Sequence, residues 1–444
     1  MNQYFQRTVS AAPLAVFRMG FGFMLLISLA RFSLMGWIEE LYIKPRFYFP
    51  FYGFEFVVPL GNYTYVLFAV CALAALLFTI GLYYRLASIL LFLSFTYIEL
   101  IDKTTYLNHY YFISMISLLM IFLPAQAYFS FDAYRNRKIL ADRIPQWNLD
   151  AIKLFVALLY FFAGLAKINS DWLLHALPLR IWLPAHNDIP LIGFLFNYSS
   201  VHFLFSWIGC LYDLFIPFLL WNKSTRLGAY VAVIVFHLFT ALLFPIGMFP
   251  YVMIVTALVF FSAEFHQRII STIGNGMKLS STFLFPSQTY SIAPWTSGII
   301  KTLFVVFFLV QFTMPFRYLL YKDELFWTEQ GYRFSWRVML MEKAGYAQFV
   351  IKDATGKEIH INNGNFLTPL QEKMMSTQPD MILQYAHMLR DYYTDLGYKK
   401  PEVYAECYVT LNGRLSKLLI DPATDLAKEE DSFAPKTYIL PANE

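Results

Sequence analysis

Lys167 ends the apolar run 154–168, within Tyr160-Phe-Phe-Ala-Gly-Leu-Ala-Lys167-Ile-Asn-Ser-Asp171-Trp172. A lysine so placed can snorkel, with its stem in hydrocarbon and its ammonium in water. It can also stay in an apolar pocket, where desolvation disfavours the ammonium, and a neutral amine is a usable general base. Asp171, four residues on, offers a third outcome, an ion pair. His109 follows Asn108 in Ile101-Asp-Lys-Thr-Thr-Tyr-Leu-Asn108-His109-Tyr110-Tyr111. It is either a satisfied interfacial side chain or an acid–base group. His237 lies inside Val233-Ile-Val-Phe-His237-Leu-Phe-Thr-Ala-Leu-Leu-Phe244. There a neutral imidazole with one internal hydrogen bond competes evenly with a catalytic one. Asp213 and Glu99 also sit in apolar runs. Both read as structural partners of cations on other helices, with Arg18 or Arg31 the candidates for Asp213. Ionisable groups at such positions are expensive, so each one poses a functional question.

Other chemistries lack their signatures. There is no glycine-rich phosphate loop, and no His-x-x-x-His, Cys-x-x-Cys or carboxylate cluster that suggests a metal. No Gly-x-Ser-x-Gly frame presents an acyl nucleophile. An enzyme built from these residues works by acid–base chemistry in a greasy pocket, on a lipid-soluble cofactor or substrate.

The elements that must position these groups are membrane helices. Of the 444 residues, 58% are hydrophobic, 19% aromatic and 14% charged, where a soluble domain has about 25% charged. This is a mainly α integral membrane protein. The net charge of +4 is too small to imply a nucleic-acid partner. A span needs about 20 mostly apolar residues. Runs at 12–36, 63–84, 86–101, 110–129, 151–168, 201–221, 227–244, 249–263 and 297–320 predict a bundle of about nine helices. With the N-terminus cytoplasmic, inside segments hold ten Lys and Arg residues, among them Arg85, Arg135, Arg137 and Lys138. Outside segments before residue 321 hold Lys44, Arg46, Lys103 and Arg180, so the charge bias supports that orientation. An odd count then puts the C-terminus outside.

The composition changes after Tyr321, which divides the chain into a bundle (1–321) and an extracytoplasmic domain (322–444). Two strand pairs are expected, one turning at Ala354-Thr-Gly-Lys357 and one at Asn412-Gly413, a strong hairpin dipeptide. The run 379–396 has helical spacing between them. An α+β or β-sandwich-like domain follows. Cys71 and Cys210 lie in apolar runs, so no disulfide framework is expected.

These stretches resemble the vitamin K-dependent gamma-carboxylase family, whose apolar part is a horizontally transferred transmembrane domain. The resemblance is carried by 101–110, 160–172, Leu211-Tyr-Asp213-Leu, His237 with Leu243-Phe-Pro-Ile-Gly-Met-Phe-Pro-Tyr-Val-Met253, Gln330-Gly-Tyr-Arg-Phe-Ser-Trp336, and Leu411-Asn-Gly-Arg414 with 419–426. It implies oxidation of vitamin K hydroquinone, or a menaquinol, by O2 to the epoxide. The strongly basic oxygen species formed on the way removes a γ-proton from a substrate glutamate, and the carbanion takes up CO2. No metal is implied. A glutamate γ-proton is too weakly acidic for any side-chain base, and a base made by oxidation must be kept from water. The resemblance makes Lys167 the base that deprotonates the hydroquinone. It puts Asn108, His109 and His237 at the quinol, where they stabilise developing oxyanions, with Met248 also in contact. The implied partners are a Glu-containing secreted peptide or protein and the lipid bilayer; the sequence is silent on oligomeric state. Ala166 stands where animal members carry a second lysine, and no cysteine pair supplies their disulfide. Both features point to a bacterial-type member in the plasma (inner) membrane, with an endoplasmic reticulum location if the source is eukaryotic. Two rival readings are a quinol epoxidase or oxidase without peptide carboxylation, and a non-enzymatic membrane protein in secreted-peptide maturation or export.

Overall fold

The computed structural model describes residues 2–291 and 293–442. The apolar runs are helical, as hydrocarbon requires of backbone groups that have no water to bond. In chain order the helices are α1 (Ala12–Leu34), α2 (Thr64–Ile80), α3 (Tyr84–Leu100), α4 (Asn108–Phe122), α5 (Gln146–Ala166), α6 (Ser199–Trp221), α7 (Arg226–Leu243), α8 (Phe249–Ala257), α9 (Ala263–Gly276) and α10 (Pro294–Thr313). Among the described residues, six helices are long and apolar enough to cross a membrane. They are α1, α2 with the turn before it, α5, α6, α7, and α10 with its continuation to Leu320. The nine expected spans therefore divide. Helix α4 is a shorter apolar helix. Helix α3 has 17 residues, about 25 Å against a hydrocarbon core of about 30 Å. The eighth run does not end as one straight span: Phe249–Phe260 and Ala263–Gly276 meet at 113°.

Helix α1 packs on α2, α2 on α3, α3 on α4, and α5 on α6. Arg18 is fully buried in α1. It donates to the carbonyls of Ala125 (2.5 Å) and Phe129 (2.5 Å), in the irregular segment after α4, and of Thr79 (3.3 Å), in the last turn of α2, where helix carbonyls lack intrahelical partners. The guanidinium of Arg31 lies 5.0 Å from the Trp37 ring. Neither arginine is thus the partner of Asp213. Glu99 accepts from Ser114 at 2.5 Å and, among the described residues, forms no ion pair with a cation. The thiols of Cys71, Cys210 and Cys407 are free and buried.

Two short strands, β1 (Thr8–Ser10) and β2 (Arg143–Pro145), pair at the end of the bundle where α5 begins. The other end carries the C-terminal strands β3 (Lys343–Lys352), β4 (Glu358–His360), β5 (Glu402–Leu411) and β6 (Lys417–Leu418). They form one antiparallel sheet in the order β4-β3-β5-β6, with Lys343 opposite Leu411 and Lys352 opposite Glu402. Val403, Ala405, Cys407 and Val409 alternate inward on β5, as period-2 spacing dictates. They share a core with Met381, Tyr385 and Leu389 of α11 (Pro379–Asp395). One sheet with helices against it is an α+β arrangement, so the sandwich alternative does not form. Asn412 and Gly413 both have positive φ, 52° and 73°, as a two-residue hairpin turn requires.

Polar contacts fasten this sheet to the bundle. Asp171 accepts from Asn412 Nδ2 (2.7 Å) and from both terminal nitrogens of Arg414, one at 2.8 Å. Burial alone would raise its carboxyl, but these bonds hold it below its ordinary value. The Asp171–Lys167 pair, one of the outcomes open to Lys167, is therefore absent. The reason is local: α5 stops at Ala166, and Asn169 is extended with φ −145° and caps a new short helix, so i,i+4 spacing no longer puts the two side chains on one face. A second fastening joins Lys103 and Arg333 to Asp380, each at 2.7 Å. Burial opposes that carboxylate, while the two cations hold it far below the usual range.

Candidate functional site

Lys167 is the C-cap of α5. Side chains at a helix end lean back toward the N-terminus, and its amine follows that direction into the bundle instead of snorkelling. Nζ donates to Asp213 Oδ2 at 2.7 Å and to Ala163 O at 3.2 Å. It also lies 5.3 Å from the Trp172 ring centroid, a cation–π distance. Both charged side chains are buried, Lys167 at 6% and Asp213 at 5% exposure. The cation expected for Asp213 is thus Lys167.

The helices meet closely here because residue 164 is glycine. A Cβ on it would stand 2.6 Å from Leu214 N and 3.0 Å from the carbonyl carbon of Asp213. Backbone-to-backbone contact between α5 and α6 leaves Asp213 at the right depth to meet an amine one turn further along.

Lys167, Asp213, His237, Tyr160 and Tyr212 line one cavity of about 460 Å³. His237 Nε2 lies 2.8 Å from the Tyr160 hydroxyl. Among the described residues its buried Nδ1 has no partner, and a buried unpaired ring nitrogen is costly unless a ligand supplies the bond. The remaining walls are apolar, including Leu159, Phe205, Ile208, Phe239 and Phe249. The end facing the sheet is roofed by Trp182, Phe244, Val338 and Met339. Trp182 Nε1 donates to Glu342 Oε2 at 2.6 Å, which ties the roof to the strand-bearing part of the chain. Among the described residues, no group of three or more His, Cys, Asp or Glu side chains converges as a metal site would require.

The residues singled out from sequence do not all gather. Lys167 and His237 share the cavity, while Asn108, His109 and Met248 do not line it. His109 is buried and stacks on Phe249 at 5.7 Å, and Phe249 meets His237 edge-on at 5.9 Å. One phenyl ring is therefore common to both imidazoles. Asn108 is occupied elsewhere: Oδ1 accepts from the Tyr106 hydroxyl (3.1 Å) and Nδ2 donates to Arg337 O (2.7 Å). The Tyr106 hydroxyl in turn accepts from Phe334 N at 2.7 Å. Met248 is buried in the bundle core. Sequence reading passed over Tyr160 and Tyr212. The signal for Tyr160 was there: Tyr160, Ala163 and Lys167 are spaced i, i+3, i+7, one face of a helix.

A second cavity, about 450 Å³, lies on the other side of the end of α5, at the seam with the sheet. Phe162, Leu165 and Ala166 face it, with Asp171, Glu324, Ser335, Arg337 and Arg414. The short segment 335–339 separates the two spaces: Ser335 and Arg337 border the seam, Val338 and Met339 the bundle cavity. The Arg337 guanidinium lies over the Tyr318 ring at 4.5 Å. Its buried Nε has no partner among the described residues, and burial lowers the pKa of the guanidinium. Asp171 is committed to Arg414, and the Glu324 carboxyl is pushed up by burial.

Two family models match the chain. Residues 6–265 match the HTTM domain, and residues 296–444 match the vitamin K-dependent gamma-carboxylase, lumenal domain. No solved structure matches it.

Proposed function

The chain belongs to the gamma-glutamyl carboxylase family, and from that premise we propose that it is a vitamin K-dependent carboxylase of peptidyl glutamate. The observation that carries the reading is the Lys167–Asp213 pair, held in the same apolar cavity as the Tyr160–His237 pair. The cavity suits a reduced quinone head. It is of ligand size, it is walled by apolar side chains, and it leaves His237 Nδ1 free for a hydroxyl. Lys167, Asp213 and His237 would hold the head. When bound and oxidised by O2, the quinol supplies the strong base that a glutamate γ-proton demands.

The protein's own part is proton handling and exclusion of water. As an ion pair the dyad carries one proton on Nζ. Passing it to Asp213 Oδ2 leaves an amine and a carboxylic acid, a neutral pair that a low-dielectric site tolerates better than it would a lone charge. The amine then takes a proton from an acidic hydroxyl and stands as ammonium beside the new oxyanion. His237, with one nitrogen on Tyr160, offers the other to the second oxygen. The roof of Trp182, Phe244, Val338 and Met339 keeps bulk water from the base.

The seam cavity is the proposed station of the glutamate side chain. A buried guanidinium without a carboxylate partner seeks one, and Arg337 is placed to receive it beside the wall shared with the quinol. In this reading the chain crosses the plasma (inner) membrane nine times, with α3, α4 and the α8 segment as short crossings. The N-terminus is cytoplasmic, and residues 322–444 lie outside, where a secreted peptide arrives.

The test supplies purified protein with reduced vitamin K, labelled CO2 and a Glu-containing peptide. The expected result is labelled peptide and epoxide in equal amounts, both abolished by Lys167→Ala. Epoxide without labelled peptide would leave only the narrower quinol-oxidation reading. Equal product from wild type and Lys167→Ala would overturn the assigned chemistry.

A further inference from the structure

The bundle cavity has walls from both α6 and α7. Phe205, Ile208 and Tyr212 of α6 and Val235, Phe236 and Phe239 of α7 line it. Two of these side chains are also on the outer surface of the bundle, Ile208 at 50% and Val235 at 61% exposure. Each is near the middle of its span, so the medium they meet there is hydrocarbon. The two helices touch through ring pairs beside this place, Tyr212 on Phe236 at 3.9 Å and Phe205 against Phe239 at 5.4 Å. The way toward the sheet is roofed, with Trp182 edge-on to Phe244 at 5.6 Å and pinned to Glu342.

We propose that the cavity opens sideways into the bilayer between α6 and α7, and that Ile208 and Val235 are the lips of a binding track for the isoprenoid tail of the quinol. This rests on the reading that the cavity takes a quinol head. A space of about 460 Å³ is sized for one drug-like molecule. A head with several isoprene units overfills it, and the excess must leave. The roofed end would expose that tail to water. The side between the lips passes it into lipid, which is as apolar as the protein side chains it leaves. The track therefore accepts tails of differing length, while Lys167, Asp213 and His237 hold the head. It also fixes the route of entry: the substrate slides in from the membrane and needs no passage through water.

The test uses the full chain in lipid vesicles. A quinol analogue carries a diazirine two isoprene units from the ring, and the labelled residues are mapped. Label is expected on 205–212 and 232–240. The second arm measures quinol oxidation by Ile208→Trp with Val235→Trp, comparing a long-tailed quinol with tailless 2-methyl-1,4-naphthohydroquinone. Both positions face lipid, so tryptophan is accommodated. The ratio of Michaelis constants, long-tailed over tailless, should rise about tenfold or more as the track is blocked. Label on Val338 and Met339, or a ratio that does not move, would overturn the lateral track while leaving the quinol reading intact. Failure of wild type to bind or oxidise either quinol would overturn that reading and the track with it.

Discussion

Gly164 on α5 and Asp213 on α6 touch through their backbones, so that a single added carbon at Gly164 would stand 3.0 Å from the Asp213 carbonyl carbon and 2.6 Å from Leu214 N. Neither neighbour is a flexible side-chain tip, so the helices themselves must part. Gly164→Ala should destabilise the bundle by about 1–3 kcal/mol, the usual range for overpacking, and should move Asp213 away from Lys167. Thermal unfolding in detergent and quinol turnover should fall together. An unchanged midpoint with full turnover would show that the close approach is not needed.

Removing one member of the buried pair leaves the other unpaired. Lys167→Ala should cost about 3–5 kcal/mol and all turnover. The double variant Lys167→Met/Asp213→Leu should recover most of the stability, since apolar replacements of a buried pair are often neutral, and none of the activity. Denaturation midpoints of the three proteins decide this. Equal stability of the single and double variants would argue against an ion pair at this depth.

Tyr160 fixes one nitrogen of His237. Tyr160→Phe should lower kcat for quinol oxidation by about tenfold and leave quinol affinity nearly unchanged. His237→Phe should cost about 10²-fold in kcat, as loss of an oxyanion donor does. A rise in Michaelis constant with unaltered kcat would make His237 a binding residue only.

Acid should loosen the seam. The Asp171 carboxyl is held below its ordinary value by Arg414 and Asn412. A depressed carboxylate contributes stability above the unfolded value of about 4 and loses it as pH falls through the folded value. Docking of the strand-bearing part should therefore hold at neutral pH and weaken below about pH 4. The Asp380 fastening, held far lower, should outlast it. Protease sensitivity of 411–417 against pH reports the change, and Asp171→Asn should remove the acid step while weakening docking by about 2 kcal/mol at neutral pH.

Arg337→Gln should raise the Michaelis constant for the Glu-containing peptide by about tenfold or more, the loss expected for a charged hydrogen bond. The Michaelis constant for quinol should stay the same. Equal effects on both substrates would place Arg337 in the architecture of the seam and outside substrate recognition.

Much of this was legible in the residues. Each of the nine apolar runs holds a helix, although α3 and α4 fall short of a full span, α4 stops at Phe122 inside its run, and the α8 segment bends. The hairpin at Asn412-Gly413 and the helix from Pro379 stand where turn chemistry and 3.6-residue spacing put them. Lys167 and His237 were singled out from the expense of polar groups in apolar surroundings, and they share one cavity. An ion pair with Asp171 was one of three outcomes open to Lys167, and spacing could not choose among them. Asp171 is nearer in sequence, but the helix ends before it, and the carboxylate that reaches Nζ is 46 residues away.

Composition and periodicity alone determined the helical runs, their approximate ends and the side chains costly to bury, because those follow from each residue's own transfer energy and backbone preferences. Which carboxylate meets which amine, which ring screens His109, and that Val338 and Met339 close a chamber built from α5, α6 and α7 were decided only by the tertiary structure. Those contacts depend on where distant helices cross and on how closely Gly164 lets two backbones come, and no local spacing in the chain encodes either.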